Sequence, residues 1–427
     1  MATRDVVLQG HLLDSLLLSK ILDEISAAGA RAEVRQMVVG IEAQDESTVA
    51  LHIDAESSAV LEQVMARLAH HGFGGGVAEP PAASLLPAPA DGVFPEGFYS
   101  TTNLPTEVYH RGRWRPVDPI EMDCGLCLQE DVGGFVCYPI SKVRAGEAVV
   151  VGNAGIAVQP FERHKAGEVF AFMSSEASTE QPKAARIRAV AQVMRACHAQ
   201  DREILWVVGP AVVHTGGGNA LEQMVHDGWV DCLYTGNALA VHDIEEALYH
   251  TALGRDTATD RPVDGGHCHH LRAINRIRAV GSIAAACDTG LLTHGVMHAC
   301  HARNVRTVIA GSIRDDGPLP ETVTDILAAQ DAMRTGLGRV GLCLMVATTL
   351  HAIAVGNLLP ATVPVVLVDI NPAVVTKLAD RGTGQGQGLV TDAAFFVTAL
   401  AQELCGSPHS PGSGQRSPAR EGRPSGE

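Results

Sequence analysis

The residues best placed to do chemistry lie between positions 341 and 392. Residues 341–347 form an apolar run suited to a buried parallel strand. Thr348 and Thr349 follow where a helix would begin, and hydroxyls at that point can satisfy backbone N–H groups. Residues 350–359 read as that helix, which stops before Pro360; a second apolar run, 363–368, ends in Asp369. The order is strand, polar turn, helix, strand, carboxylate, with the acid about 20 residues past the turn. This is the layout in which a helix N-terminus takes a pyrophosphate and an acid takes ribose hydroxyls. One part is out of place. Ala347-Thr348-Thr349 stands where the glycine fingerprint belongs, and a Gly-x-Gly-x-x-Gly at 336–341 precedes the strand instead of following it. An ordinary βαβ unit, with Asp369 capping the helix that follows Asn371-Pro372, fits the same pattern.

Other strand ends point the same way. Residues 204–209, 230–234 and 307–310 read as strands that run out into Gly209-Pro210, Thr235-Gly236-Asn237 and Gly311-Ser312. Ligands of open α/β sheets bind outside the carboxyl ends of the strands. Asn237, Asp315, Asp316, Thr348, Thr349 and Asp369 are therefore expected to converge on one crevice. Gly216-Gly217-Gly218 is either a second backbone cradle for phosphate or a flexible turn. The loop around Asp380, with Gly382, Gly384, Gly386 and Gly388, is either a lid or a solvated loop.

Two histidine groups raise the question of zinc: His267, His269 and His270, and His294, His298 and His301, with Cys268 and Cys300 nearby. Neither H-E-x-x-H nor a paired C-x-x-C accompanies them, and no metal is expected. Cys124 lies beside Glu121 and Asp123, an acidic setting that opposes a thiolate.

The elements that must position these residues divide the 427-residue chain. Residues 1–73 read as a small ferredoxin-like α+β module: strand 6–9, helix 14–28, strands 33–41 and 47–53, helix 58–70. Residues 74–93, rich in Gly, Pro and Ala, read as a linker or loop. Short β-like runs occupy 94–154. From 155 to 405, helices at 184–199, 220–227 and 275–287 alternate with strands, which predicts an α/β, Rossmann-like, doubly wound parallel sheet. Residues 406–427 read as a disordered tail. A net charge of −16 argues against nucleic acid or an acidic membrane as partner. No apolar run reaches the length of a membrane span and MATRDVVLQG is not a signal peptide, so the ten cysteines are expected as reduced thiols in the cytoplasm.

Longer motifs carry a resemblance. TGNALAVHDIE (235–245), AGSIRDDGPLP (310–320) and VDINPAVVTKLADRGT (368–383) resemble the archaeal-type ornithine cyclodeaminase family. GHLLDSLLLSKILDEI (10–25), PEGFYSTTN (95–103) and FMSSEASTEQP (172–182) resemble the domain shared with bifunctional lysine-ketoglutarate reductase/saccharopine dehydrogenase proteins. The family also includes the C-terminal half of cyanobacterial arginine dihydrolase–cyclodeaminase fusions. Their dihydrolase domain has no counterpart here, so arginine is not an expected substrate.

The resemblance implies conversion of L-ornithine to L-proline and ammonia with tightly held NAD that is reduced and re-oxidised within one turnover. It carries cofactor contacts over to Asn237, Ala238, Asp316, Thr348, Thr349, Leu350, His351, Asp369, Thr391 and Asp392. Such a reaction needs a cationic clamp for the α-carboxylate, for which Arg272, Arg276 and Lys183 are the candidates. It also needs proton-transfer groups, for which Asp123, His242 and Asp315 are the candidates. The competing readings are an NAD-dependent amino-acid or opine-type dehydrogenase, which would accumulate NADH, and a non-catalytic regulator that binds NAD and an amino acid. A homo-oligomer is expected, because the N-terminal module is small and its first helix strongly apolar.

Overall fold

The computed structural model describes residues 2–10, 12, 17–39, 47–70, 81–129, 133–159, 183–257, 259, 261–263, 265–315, 317–381 and 386–406. Asp316, the motif at 172–182, loop residues 382–385, residues 74–80 of the expected linker and the tail from 407 lie outside the described residues.

The N-terminal unit comprises β1 (Ala2–Gly10), α1 (Leu17–Ala27), β2 (Ala30–Val38), β3 (Ser47–Ala55) and α2 (Ser58–His70). Its strands form an antiparallel sheet in the order β1-β3-β2. Every second residue of β3 is buried, so Val49, Leu51 and Ile53 meet Ile21, Ile25, Val64 and Leu68 of the helices on one face. The β-α-β-β-α order matches the sequence reading, although β2 begins at Ala30, earlier than residue 33.

The next unit comprises β4 (Ser84–Pro87), β5 (Thr106–His110), β6 (Arg113–Pro116), β7 (Gly125–Gln129), β8 (Gly134–Tyr138), β9 (Ala148–Val151) and β10 (Ile156–Val158). They form two antiparallel sheets, β4-β9-β7-β8 and β10-β5-β6. Two expectations are corrected here. Ser84–Pro87 falls in the segment read as a linker, yet it is a strand: it pairs with Ala148–Val151, a partner remote in sequence that local composition does not announce. The unit also runs past residue 154, because Ile156–Val158 pairs with β5. A three-residue strand carries no periodic signal of its own.

The large unit begins with α3 (Lys183–Ala199), β11 (Glu203–Val208), α4 (Ala211–His214), α5 (Gly218–His226), β12 (Cys232–Gly236) and α6 (Asn237–Tyr249). The hairpin β13 (Thr251–Ala252) and β14 (Arg255–Asp256) leads to α7 (His269–Val280), α8 (Ile283–Asp288) and α9 (Val296–Ala302). Then follow β15 (Arg306–Ala310), β16 (Thr322–Val323), α10 (Ile326–Arg334), β17 (Val340–Val346) and α11 (Leu350–Leu358). The last elements are β18 (Val365–Asp369), α12 (Pro372–Arg381), β19 (Gly386–Val390) and α13 (Ala393–Cys405).

Seven parallel strands make one sheet in the order β16-β15-β12-β11-β17-β18-β19. Successive strand residues face opposite sides. Ile204, Trp206 and Val208 pack with α3 to α9 and α13, whereas Leu205 and Val207 pack with α10, α11 and α12. This is the expected doubly wound sheet. The helix expected over 275–287 is instead two helices. Gly281, at φ 100, ends α7, and the Ser282 hydroxyl accepts the Ala285 N–H at 2.9 Å to start α8.

The β-rich unit is fastened to the large unit at the ends of α10 and α11. Arg334 Nε donates to Glu121 Oε2 at 2.8 Å, Met122 N–H donates to the Asn357 carbonyl at 2.9 Å, and Asn103 Nδ2 donates to the Leu359 carbonyl at 3.3 Å. Glu121 is buried, so its carboxylate depends on the guanidinium. Arg334→Met is expected to destabilise the protein by about 3 kcal/mol, because a buried carboxylate would lose its cation. Chemical denaturation reads this, and an unchanged midpoint would count against the pair.

Candidate active site

From β11 the chain winds outward through β12, β15 and β16, then returns to lay β17, β18 and β19 on the other side of β11. The winding reverses between β11 and β17, and a doubly wound sheet opens its binding crevice at such a point. Here the two backbones nearly touch. Gly209 N–H donates to the Val346 carbonyl at 2.9 Å, while on the other side of β17 Ala347 N–H donates to the Val368 carbonyl of β18 at 2.8 Å. A Cβ on Gly209 would stand 1.9 Å from the Ala347 carbonyl oxygen, so only glycine fits. Ala347 has φ 51. An alanine adopts the left-handed backbone that the missing fingerprint glycine would supply, at a cost of roughly 1 kcal/mol. The turn leaves Thr348 and Thr349 half-buried at the start of α11, whose first N–H groups have no partner inside the helix.

The expected cofactor residues that the structure describes lie along this carboxyl edge. Asp369 ends β18, and its Oδ1 accepts the Asn371 N–H at 2.8 Å. Asn371 itself accepts from Ala373 N–H at 3.0 Å, so Asn371 is the cap of the next helix and Asp369 braces the turn before it. Thr391 is buried, with its N–H donating to the Asp369 carbonyl at 3.0 Å. Asp392 caps α13 by accepting the Phe395 N–H at 2.9 Å. Leu350 is exposed in the first turn of α11. His351 reaches from that turn to β12: a Cβ on Gly236 would lie 3.0 Å from its Cε1. Burial depresses the His351 pKa, against the opposing pull of the Ala310 carbonyl and of Asp315. Asn237 is buried, donates to Asp315 Oδ1 at 3.1 Å, and accepts from Leu319 N–H at 3.0 Å and Thr322 Oγ1 at 3.1 Å. Asp315 Oδ2 accepts from Ser312 N–H at 2.7 Å. These two residues hold the loop after β15 against β12, and Ala238 follows in the first turn of α6.

The candidates for catalysis are dispersed. Lys183 is exposed at the start of α3, which runs back antiparallel into β11, so Lys183 lies toward the carboxyl edge. Arg272 and Arg276 are exposed on α7. Asp123, exposed and at φ 62, accepts from Asn357 Nδ2 at 3.3 Å. That contact is at the far end of α11, about 12 Å along the helix from Thr349, so the fold does not bring Asp123 to the crevice.

His242 lies in a network that sequence reasoning did not assemble. Its Nδ1 is 2.8 Å from Glu245 Oε2, Thr251 Oγ1 donates to Glu245 Oε1 at 3.0 Å, and the same hydroxyl is 2.9 Å from His269 Nδ1. The His214 ring meets His242 edge-on, with centroids 4.3 Å apart. The three-residue spacing of His242 and Glu245 on one helix was the available signal. The neighbouring Asp243 faces elsewhere and accepts the Val296 and Met297 N–H groups, both at 2.8 Å, at the start of α9. Burial pushes Asp243 up to about 7, and those two N–H groups pull the other way.

Two glycines of the other motifs lie at close approaches of packed elements. Gly217 lies against α13, where a Cβ would meet Ala394 Cα at 3.1 Å. Gly336, at the opposite edge of the sheet, admits Arg306, whose Nη1 would be 2.0 Å from a Cβ there. Among the described residues no group of three or more His, Cys, Asp or Glu could hold a metal ion.

Residues 188–400 match the family described as arginine dihydrolase ArgZ-like, C-terminal, Rossmann fold. Residues 105–187 match the first region of the same C-terminal part, and residues 3–104 match the LOR/SDH bifunctional enzyme conserved region. The chain is 45% identical over 400 residues to an ornithine cyclodeaminase of Methanopyrus kandleri, covering 93% of this chain and 96% of that one. The chain belongs to the ornithine cyclodeaminase family. The resemblance read from its motifs is thereby borne out. Within this cyclodeaminase family, the cyanobacterial arginine dihydrolase ArgZ superposes with a TM-score of 0.80 at 33% identity, over 95% of this chain and 58% of that one. AgrE, crystallised as a ternary complex with ornithine and NAD+, superposes with a TM-score of 0.51 at 37% identity, over 95% of this chain and 57% of that one.

His214 ties the network to pH. Burial first, and then His242, push it from 6.5 down to about 4, with Glu245 opposing. The unfolded chain therefore binds the extra proton first. The stability this neutral ring contributes is complete above about pH 6.5 and is lost as pH falls toward 4. After allowance for solvent at this half-buried ring, the loss should be on the order of 1–2 kcal/mol. His214→Gln is expected to flatten that part of the stability–pH curve, and an unchanged slope would show that other groups dominate.

Proposed function

We propose that this chain converts L-ornithine to L-proline and ammonia with resident, internally recycled NAD, and so serves proline formation from ornithine. The observation that carries the reading is near-full-length identity with the Methanopyrus cyclodeaminase, together with a crevice whose parts suit a dinucleotide. The backbone approach at Gly209 leaves no room for a Cβ, the α11 N-terminus opens at the same point, and a carboxylate ends the adjacent strand β18. Thr348, Thr349, Leu350 and His351 would hold the pyrophosphate, and Asp369 the ribose hydroxyls. Thr391 and Asp392 would border the adenosine half, with Asn237 and Ala238 bordering the nicotinamide half. NAD, when bound, supplies an acceptor and then a donor of hydride. For the α-carboxylate clamp we favour Lys183, exposed at the start of α3, with Arg272 and Arg276, exposed on α7, as the cationic alternatives.

Incubating the purified protein with L-ornithine and catalytic NAD+ tests the reading. Proline and ammonia should form one to one with no net NADH. Accumulating NADH would turn the case to an ordinary dehydrogenase, and tight NAD binding without turnover on any amino acid would turn it to a regulator. Asp369→Ala should weaken NAD binding about 10- to 100-fold through loss of charged hydrogen bonds; calorimetry giving an unchanged Kd would remove Asp369 from the site. The reading includes a cytoplasmic location and a homo-oligomer; the exposed Val34 and Val38 of β2 support the oligomer. Light scattering that gave a monomer at working concentration would overturn the oligomer.

A further inference from the structure

Resting on the ornithine reading above, we propose that His242 is the group that moves the proton during ring closure and ammonia loss, and that Glu245 is its positioning residue. The chemistry asks for one group that does two things. When the δ-nitrogen forms its bond to an electrophilic α-carbon, that nitrogen must shed a proton. When the bond from the α-carbon to the original amine breaks, the departing nitrogen keeps the electron pair and must gain a proton. A single base that takes the first proton and returns it at the second step balances both. Histidine is the side chain whose ordinary titration range lies closest to neutral pH.

Geometry selects His242 among the acid–base candidates. Asp315 has both carboxylate oxygens engaged, by Asn237 and Ser312. Asp243 spends both of its oxygens on the start of α9, and Asp123 lies at the far end of α11. His242 uses Nδ1 on Glu245, and its Nε2 makes no hydrogen bond among the described residues.

Glu245 is built as an orienter. It is fully buried, one oxygen receives the Thr251 hydroxyl, and the other meets the imidazole. The carboxylate therefore holds one ring orientation and favours the tautomer with the proton on Nδ1, leaving Nε2 as the acceptor. Thr251 is held in turn by His269, which stacks on Tyr249 with centroids 4.8 Å apart.

The titratable rings facing His242 come from two other helices: His214 of α4, edge-on at 4.3 Å, and His270 of α7 at 6.5 Å. His214, kept neutral by burial, adds no competing positive charge. Helix α4 starts two residues beyond Gly209, and α6 starts from the end of β12. The network thus hangs from the two strand ends on one side of the crevice.

The test uses the full chain with NAD bound. His242→Gln should lower proline formation from ornithine by about 10²- to 10⁴-fold with NAD affinity retained, and added imidazole should restore part of the rate to His242→Ala. Glu245→Gln should lower kcat more than it changes KM for ornithine, and Glu245→Asp should recover part of the loss. In the wild type, nitrogen-15 histidine NMR should show His242 protonated on Nδ1, with Nε2 responding to ornithine and not to NAD alone. This last measurement needs no variant to fold. Wild-type turnover with His242→Gln within about threefold of it, or an Nε2 resonance that ornithine leaves unmoved, overturns the proposal. Absence of proline from the wild type overturns the ornithine reading instead.

Discussion

A side chain on Gly209 would drive its Cβ into the carbonyl of Ala347, and the crevice depends on that approach. Because β11 and β17 come this close at their carboxyl ends, the chain after β17 must turn away sharply. Ala347 does so in a left-handed conformation that disfavours any residue with a Cβ. The turn aims α11 so that its N-terminus opens where the winding of the sheet reverses. A helix N-terminus presents backbone N–H groups and partial positive charge, and the neighbouring strand ends in Asp369. An anion-receptive helix end and a carboxylate for hydroxyl groups thus share one edge, an arrangement that follows from backbone geometry without a glycine fingerprint.

Helix α6 organises the other side of that edge. Four of its residues each secure a different neighbour. Asn237 holds the loop after β15, and His242 meets His214 of α4. Asp243 caps α9, and Glu245 binds Thr251 of the hairpin. All four are polar and mostly buried, and buried polar groups must find partners. Their satisfaction fixes how α4, α9 and the hairpin pack around α6. The same helix therefore ties the layer together and begins, at Asn237, from the carboxyl end of β12. The β-rich unit is fastened elsewhere, at the ends of α10 and α11 through Arg334, Glu121 and Asn357, which leaves the carboxyl edge clear of those contacts.

Much of this was legible in the chain. Long apolar runs at 341–347 and 363–368 are strands because only a sheet covered on both faces tolerates such continuity, and the observed β17 and β18 follow them within two residues. Gly209, Gly236 and Gly311 after apolar runs pointed to the carboxyl edge. Weak local signals were misread. Ser84–Pro87 looked like a linker because strand pairing with a partner some sixty residues away leaves no trace in composition. The break between α7 and α8 was missed because one glycine and one serine carry it.

Sequence by itself determined the α/β class and the family, put Thr348, Asp369 and Asn237 at strand ends, and offered His242 as a candidate for proton transfer. These depend on periodicity, turn chemistry and long motifs, which are local properties of the chain. Only the tertiary structure decided that Asp123 is remote, that Asp315 spends its oxygens on Asn237 of α6 and on Ser312, and that Glu245, Thr251 and His214 join His242. Those facts depend on which side chains meet across separate elements. Packing and the need to satisfy buried polar groups set such meetings, and neither is written in residue spacing.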